Sequence, residues 1–340
     1  MPSITPDSES WKKMVLRSMP PPAWLSEDAP EGDVVISTRV RYARNLKGFR
    51  FPHHAPPEEL RSVQRLVSEA VKRSKLDFEV LKRVTEAERD YLIGCRLLSP
   101  EFPGRETGRM LLLDTHRSVS VMVNVEDHLR IQSLTAGWSL ENAHRLAEYV
   151  LGELSRKLAF AESDAWGNLT ASVYNVGSAR RLSVMFHLIG LAHTKKLNSV
   201  LRALAARSLV ARGLFGESSR AVGAFFQVSS TTGDLPEFQG ASEYLLKEER
   251  LARREVQRAS LTERAESAIE FAITSSEISL ADALRVLAWV RWAASVSLPG
   301  FPSNHREVDG WISALEVRGT TDVKAANRER ATFLRARLEG

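Results

Sequence analysis

Two arginines separated by one residue follow a short apolar run near the start of the chain. The run is DVVI at positions 33–36, and it leads into Arg39, Val40 and Arg41. Side chains two residues apart in an extended segment point the same way, so both guanidinium groups would face one site. Guanidinium forks match the oxygens of phosphates and carboxylates. The pair therefore indicates an anion-binding site, and a solvated basic strand end is the alternative.

Three further segments combine polar, basic and small residues in arrangements that could bind a charged ligand. Asn124–Arg130 (NVEDHLR) ends an apolar run, and polar groups at the end of a strand often form a site. Asn175–Arg181 (NVGSARR) is a loop of small residues whose backbone N–H groups could bind phosphate, although it matches neither a Walker A nor a dinucleotide pattern. Arg212–Glu217 (RGLFGE) contains two glycines and could fold over a ligand. A salt-bridged turn and a plain surface turn are the alternatives for the first and the last of these segments.

Short strands are predicted around these segments. Apolar and alternating runs predict strands at positions 33–36, 110–114, 118–124 and 182–188. The second and third of these strands are separated by a turn-like THR, which is typical of an antiparallel hairpin.

Helices are predicted between the strands and throughout the last part of the chain. Apolar residues at helical spacing indicate helices within 57–94 and 138–160. After about residue 243 the pattern indicates only charged helices, one of which begins with a capping motif at Ser279. We therefore predict an α+β protein, with a mixed sheet-and-helix domain at residues 1–245 and an all-helical domain at residues 246–340.

Composition places the chain among ordinary globular proteins. It has 340 residues, 43% of them hydrophobic, a formal net charge of +5 and interleaved charges, so direct binding of nucleic acid is not indicated. The single cysteine, Cys95, excludes an intramolecular disulfide and a multi-cysteine metal site. The first ten residues lack the features of a signal peptide, and the longest apolar stretch, at 183–192, is too short to span a bilayer. We expect a cytoplasmic protein without a membrane segment.

The order of the four motifs along the chain resembles that of a known family. STRVRYARN, NVEDHLRIQSL, NVGSARRLSV and RGLFGES occur in the same order in the ATP:guanidino phosphotransferases, which include the creatine and arginine kinases. The absence of an N-terminal helical domain and the presence of a C-terminal one are similar to the bacterial protein-arginine kinases, which phosphorylate arginine side chains in proteins. The resemblance implies a guanidino-kinase catalytic domain, built on an antiparallel sheet flanked by helices, followed by the helical domain.

The resemblance also implies roles for individual residues. Five arginines match those that hold the ATP phosphates, namely Arg39, Arg41, Arg130, Arg181 and Arg212. Arg96 stands where the family has a histidine near the adenine, and an arginine can stack on a base. Glu126 and Glu217 match the two carboxylates that hold the acceptor guanidinium and help to remove its proton. ATP and Mg²⁺ are implied as cofactors, and no set of protein metal ligands is expected.

Several positions depart from the family pattern. Ser172 replaces the reactive cysteine, and a serine hydroxyl stays neutral where a thiolate would add negative charge. Val125 replaces the first glutamate of the N-E-E-D-H motif, the stretch Gly177-Ser178-Ala179 has lost a glycine, and Ser230 replaces an asparagine. These changes keep open the alternative of a catalytically impaired pseudokinase that binds ATP or phosphoarginine as a regulatory or scaffold protein. A small-molecule guanidino kinase is a third hypothesis, and the missing N-terminal domain argues against it.

Partners follow from the same resemblance. We expect protein substrates that bear arginine, together with an activator protein and an AAA+ protease system as in the family. The family's C-terminal R-D-x-x-R-A motif, which resembles a phosphoarginine reader, is matched by Ala326-Asn327-Arg328-Glu329-Arg330-Ala331, and only its second half is retained. Trp289, Trp292 and Trp311 would suit a homodimer face, and core packing explains them equally well.

Overall fold

The computed structural model describes residues 19–102, 107–214, 222–230, 232–315 and 322–339. Its centre is an eight-stranded sheet in which every pair of neighbouring strands is antiparallel. The strands are β1 (Val35–Arg44), β2 (Phe78–Leu81), β3 (Met110–Asp114), β4 (Val119–Val123), β5 (Leu129–Ala136), β6 (Glu162–Ser163), β7 (Gly167–Asn168), β8 (Arg180–His187), β9 (Leu209–Gly213) and β10 (Phe225–Ser230). The order across the sheet is β2-β3-β4-β5-β1-β8-β10-β9, and β6 and β7 form a separate small hairpin.

Helices cover both faces of this sheet. They are α1 (Pro57–Lys72), α2 (Glu86–Gly94), α3 (Leu140–Ser155), α4 (Ile189–His193), α5 (Leu197–Ala205), α6 (Leu235–Glu255), α7 (Arg258–Thr274), α8 (Leu280–Ser295), α9 (His305–Ala314) and α10 (Val323–Leu338). The Ser279 hydroxyl accepts a hydrogen bond from Asp282 N at 3.1 Å, which confirms the predicted cap of α8. Within the described part of the chain, no helix is both long and apolar enough to cross a membrane.

The alternation of β1 divides the sheet between two cores. Val40 and Tyr42 point into the first core, where they meet apolar residues of α1, α3, α5 and α6. The strand residues between them, Arg39 and Arg41, lie on the opposite face. That face carries the second core, in which sheet residues such as Leu134 pack with α2 and with α7 to α10. The C-terminal helices therefore cover part of the same sheet face that carries the arginines.

A buried ion-pair network fastens the C-terminal helices to the start of β1. Asp309 of α9 accepts hydrogen bonds from Arg291 at 2.7 Å and from Arg306 at 2.8 Å. Arg291 also donates to the carbonyl oxygen of Gly32 at 2.7 Å, and Arg306 donates to that of Ile36 at 3.1 Å. Because buried guanidinium groups require partners, these contacts bind the helices and the sheet into one packed unit.

The division into two domains at residue 245 stays a prediction. Leu245 lies inside α6, which continues unbroken to Glu255. The buried apolar residues of this helix before and after position 245, such as Phe238 and Ala252, belong to the first core. A boundary drawn between the two cores would therefore fall after α6.

The sequence pattern predicted several of these elements correctly. The strands at 110–114 and 118–124 pair as the expected antiparallel hairpin, with Met110 opposite Val123. The expected strand at 182–188 is β8, and no strand follows residue 243 in the described residues. Trp292 is buried and Trp289 and Trp311 pack against the second core, so core packing accounts for these tryptophans.

Seven of the ten described strands differ from the prediction. The sequence pattern predicts only helices within 57–94, but β2 lies between α1 and α2. A four-residue edge strand leaves almost no alternation to detect. The expected strand at 33–36 extends to Arg44, since β1 is paired on both sides. The sequence pattern does not predict β5, β6, β7, β9 or β10. The strand β9 includes Arg212 and Gly213, which the sequence pattern places at the start of a loop. Glu217 and the rest of that loop from Phe215 lie outside the described residues.

Candidate functional site

Strand register brings four of the predicted arginines onto one face of the sheet. Arg41 lies directly opposite Arg181 of β8, and Ala43 lies opposite Arg130 of β5. Because directly opposite residues share a face, Arg39, Arg41, Arg130 and Arg181 all project from the face that carries the second core. This group is called the arginine cluster below.

Arg39 is held in place by polar residues of the next two strands. Its Nε donates to the Ser183 hydroxyl at 3.1 Å, and one terminal nitrogen donates to Gln227 Oε1 at 2.9 Å. Gln227 of β10 lies opposite Arg212 of β9, so Arg212 lies on the same face, two strands away from β8. Sequence reasoning missed both Ser183 and Gln227, and the alternating run FFQVSS at 225–230 was the only signal for Gln227.

The electrostatics of the arginine cluster favour a bound anion. Burial lowers the pKa of Arg39 to about 9, with repulsion from Arg96, Arg130 and Arg181 adding to the effect. The pKa of Arg41 is also lowered well below its ordinary value, mainly by burial and then by the neighbouring guanidinium groups, with Glu126 opposing the shift. Guanidinium groups remain charged at neutral pH, so these shifts report that burial, and after it the neighbouring positive charges, make the charged groups unfavourable. A polyanion placed among the groups would relieve it.

A carboxylate closes one side of this cluster. Glu126 lies 3.4 Å from the Arg130 guanidinium, and Glu101 lies 3.8 Å from the same group. Arg130 is largely buried, whereas Glu101 is mostly exposed. Glu126 lines a cleft together with Arg41, Arg130, Asn175 and Arg181. The cleft thus offers guanidinium groups to an anion and one carboxylate to a cation at the same place.

Hydrogen bonds of polar residues in the Asn124–Arg130 motif hold the turn that carries Glu126. Asp127 Oδ1 accepts from the Asn45 amide at 2.6 Å and from Ala171 N at 2.7 Å. The adjacent ring of His128 accepts from Leu46 N at its Nδ1, at 3.0 Å, and donates from Nε2 to the Arg50 carbonyl, at 2.9 Å. Burial lowers the pKa of His128, which favours the neutral ring that this bonding pattern requires. Glu126 is therefore carried on a turn with fixed neighbours on both sides.

Comparison with known proteins identifies the family. The model of the ATP:guanido phosphotransferase C-terminal catalytic domain matches residues 60–237. This chain belongs to the ATP:guanido phosphotransferase family. A protein-arginine kinase of Shouchella clausii is 35% identical over 243 residues, which cover 68% of this chain and 68% of that protein. A protein-arginine kinase of Halothermothrix orenii is 33% identical over 281 residues, covering 79% of this chain and 80% of the relative.

A solved structure supports the same fold. The crystal structure of lombricine kinase aligns with a TM-score of 0.58 and 19% sequence identity, over 73% of this chain and 79% of that chain. At this identity the likeness concerns the fold alone. It agrees with the expected antiparallel sheet flanked by helices.

Two residues that depart from the pattern of this guanido phosphotransferase family lie near the cleft. Val125 is 4% exposed, packs in the second core and is not among the residues that line the cleft. Ser172 begins a short 3₁₀ turn, and its carbonyl accepts from the Thr170 hydroxyl at 2.8 Å. Since Ala171 is bonded to Asp127, Ser172 follows directly on the segment that supports Glu126.

Arg96 has contacts that differ from those expected of an adenine-stacking side chain. Its Cζ lies 4.9 Å from the centre of the Trp24 ring, and a terminal nitrogen bonds to the Ser37 hydroxyl. It is close enough to Arg39 to lower the pKa of that residue. A role beside the adenine stays a prediction, and the structure places Arg96 between the arginine cluster and Trp24.

The described residues do not form a metal site from protein ligands alone. Among them, no group of three or more histidine, cysteine, aspartate or glutamate side chains is arranged to hold a metal ion. Cys95 is buried, and burial raises the pKa of its thiol to about 12, so it is neither a ligand nor a nucleophile at neutral pH.

Proposed function

We propose that this protein transfers the γ-phosphate of ATP to a guanidinium nitrogen of arginine side chains in proteins. The observation that carries the proposal is the meeting of the arginine cluster with Glu126, which lies 3.4 Å from Arg130. A site that presents crowded guanidinium groups to an anion and a carboxylate to a cation suits an ATP phosphate and an acceptor guanidinium. The relatives named protein-arginine kinase support the choice of a protein-borne acceptor.

The arginine cluster would hold the triphosphate and stabilise the charge that spreads over the transferred group. Arg39, Arg41, Arg130 and Arg181 supply this binding from strands, and Arg212 supplies it from the edge of the sheet. Fixed guanidinium groups cost little reorganisation during transfer, because the sheet already orients them. The guanidinium groups repel one another before ATP binds, and each can contact a phosphate oxygen once the triphosphate is present.

Glu126 would orient the acceptor and take up its proton. In the transfer, a nitrogen–phosphorus bond forms at the acceptor and the bond between the γ-phosphorus and the bridging oxygen of ADP breaks. The acceptor nitrogen loses one proton, which the Glu126 carboxylate receives. Glu217, matched in the family to the second carboxylate, is proposed to hold the other side of the guanidinium. Two such contacts would fix one nitrogen in line with the phosphorus.

Mg²⁺ is proposed to enter the site with ATP. This ion keeps several waters and is commonly bound through substrate phosphates with one or two carboxylates. Val125 stands where the family has a glutamate, so one carboxylate is missing near this position. Binding of Mg²⁺ is therefore proposed to depend more heavily on the ATP phosphates and on Glu126.

The deciding experiment is incubation of the protein with Mg-ATP and an unfolded arginine-containing protein. We expect acid-labile phosphoarginine, detected by its phosphorus NMR signal, and its loss in a Glu217→Ala variant. If ATP still raises the melting temperature but no phosphoarginine forms, the protein is an ATP-binding protein without transfer. Val125 and Ser172 favour that alternative, and Glu126 on its supported turn favours transfer.

We also propose a cellular location and further partners for this protein. A cytoplasmic location is supported by the single buried thiol, Cys95. An activator protein and an AAA+ protease system are proposed from family resemblance alone, as is a homodimer.

A further inference from the structure

The most exposed large apolar side chains of the described residues lie close together in the chain. They are Tyr174 at 89% exposed, Val173 at 77% and Trp166 at 69%. Removing such side chains from water is favourable, and a group of exposed apolar side chains is typical of a binding surface. We call these three residues the apolar lip.

Backbone hydrogen bonds give the apolar lip a defined shape. The segment that carries Trp166 is bonded to the segment that carries Val173 and Tyr174 through Asn168 and Gly177. Asn168 N donates to the Gly177 carbonyl at 3.0 Å, and Gly177 N donates to the Asn168 carbonyl at 3.2 Å. The φ of Gly177 is +105°, a conformation that favours glycine at this crossing. The two segments are therefore held side by side.

The apolar lip is continuous with the candidate active site. Tyr174 is followed by Asn175, which lines the cleft beside Glu126, and Val173 is preceded by Ser172. The same segment is bonded to Asp127 through Ala171 N at 2.7 Å. A polypeptide that places one side chain in the cleft would therefore have its neighbouring residues within reach of the lip.

The charges around the lip complement a basic segment. Glu162 and Asp164, both exposed, belong to the hairpin that carries Trp166. Aromatic rings also bind guanidinium groups through their faces. These features suit an arginine-bearing segment with apolar neighbours better than an acidic one.

We propose that the apolar lip binds the residues that flank the target arginine, and that it selects extended polypeptide segments with apolar or aromatic residues next to that arginine. The inference rests on the proposed function, because it takes the cleft to hold the acceptor arginine. A free guanidino metabolite would leave the lip uncovered, so the lip is a determinant of a polypeptide substrate.

The test compares two unstructured peptides of equal length, each with one arginine. One peptide has phenylalanine and leucine beside the arginine, and the other has serine at both positions. We expect kcat/KM to favour the apolar peptide by about tenfold, the size of effect that one well-buried aromatic side chain can give. The ratio should fall to about one in the double variant Trp166→Ser/Tyr174→Ser, and Tyr174→Phe should retain it.

Tyr149 offers a matched control, because it is a 52% exposed tyrosine on α3. Tyr149→Ser should keep the preference. Binding of fluorescently labelled peptides, followed by anisotropy, gives a second readout that requires no transfer. If neither peptide is phosphorylated by the wild type while the anisotropy preference remains, the proposed function fails and the lip stands. If the wild type shows no preference in either assay, or if Tyr149→Ser removes it equally, the lip proposal is overturned.

Discussion

The carboxylate of Asp127 accepts a hydrogen bond from the backbone N–H of Ala171 at 2.7 Å, which joins the turn after β4 to the segment before β8. These segments are far apart in sequence, and each contributes to the cleft. The same oxygen accepts from the Asn45 amide at 2.6 Å. One buried carboxylate thus fixes the turn that carries Glu126 and the segment that carries Ser172.

Asp127→Ala should destabilise the protein and slow transfer. It removes the acceptor of the Ala171 N–H and one of the two acceptors of the Asn45 amide, which also donates to the Leu169 carbonyl at 3.1 Å. We expect this loss to lower the free energy of unfolding by about 1–3 kcal/mol. Urea unfolding and initial rates measure the two effects. Asp164→Ala, at an exposed position, should stay within about 0.5 kcal/mol of the wild type. Equal stability of the two variants would show that the Asp127 contacts do not support the cleft.

The sequence predicts the arginine pair of β1 well and the rest of the site less well. Arg39 and Arg41 share a face because the period of a strand is a local property. Gln227, which accepts from Arg39, belongs to β10, and the pairing of β10 with β8 depends on register between distant segments. Apolar patterning alone therefore reveals neither the neighbour of Arg39 nor the position of Arg212 in the sheet.

For the C-terminal helices, too, the sequence predicts the local structure but not the packing. Their helical character and the cap at Ser279 follow from local spacing and capping chemistry. Their packing on the arginine-bearing face of the sheet does not, because it depends on buried partners such as Asp309 and Ile36, which lie far apart in sequence. A division at residue 245 suits the change in composition, whereas α6 crosses that position.

Glu126→Gln should separate transfer from ATP binding. The amide keeps the shape of the side chain but cannot accept a proton, so kcat should fall by about 10²–10⁴-fold. The KM for ATP should change much less, because the arginine cluster remains intact. Initial rates of phosphoarginine formation measure both constants. Glu148→Gln, at an exposed carboxylate on the opposite face, is the control, and a Glu126→Gln enzyme with wild-type kcat would exclude Glu126 as the proton acceptor.

Arg130→Ala should remove most of the stabilisation that ATP gives. A ligand at 100 times its Kd raises the free energy of unfolding by about 2.7 kcal/mol. Loss of one buried phosphate contact costs about 2–5 kcal/mol of binding, so the same ATP concentration should give little shift in Tm. Without ATP, the variant loses the ion pairs of Arg130 with Glu126 and Glu101 but also its repulsion of Arg39, so its free energy of unfolding should differ little from that of the wild type.

The control for this variant is Arg285→Ala. Arg285 is exposed, lies on α8 outside the arginine cluster and pairs with Asp282. It should retain the full ATP-dependent shift in a thermal melt. A full shift in Arg130→Ala would place the nucleotide elsewhere.

His305 should make the stability of the protein depend on pH. Burial lowers its pKa to about 4 from the ordinary 6.5, with repulsion from Arg291 as the next cause. Between these values the unfolded chain binds more protons than the folded chain, so stability falls as pH falls from 6.5 towards 4. The slope should not exceed about 1 kcal/mol per pH unit, because the ring is partly exposed. Asp33, Asp309 and Arg306 also face this ring.

His305→Gln isolates this contribution. Urea unfolding of the wild type and the variant at pH 7.5, 6.0 and 5.0 gives their stability difference at each pH. We expect the difference to be constant above pH 6.5 and to move in favour of the variant below it. A difference that does not change with pH would contradict the buried neutral state of His305.

Asp309→Ala should destabilise the helices and the sheet together. It removes the shared partner of Arg291 and Arg306, which are almost fully buried, and an unpaired buried charge costs about 3–5 kcal/mol. Because Arg291 and Arg306 also bind carbonyl oxygens of Gly32 and Ile36, the loss should spread to β1 rather than stay in α9. Calorimetry should therefore show one transition in the wild type and one transition at lower temperature in the variant. Glu263→Ala, at an exposed carboxylate of α7, should leave the single transition nearly unchanged. Two separate transitions in the Asp309 variant, with only one of them shifted, would mean that the C-terminal helices unfold independently of the sheet.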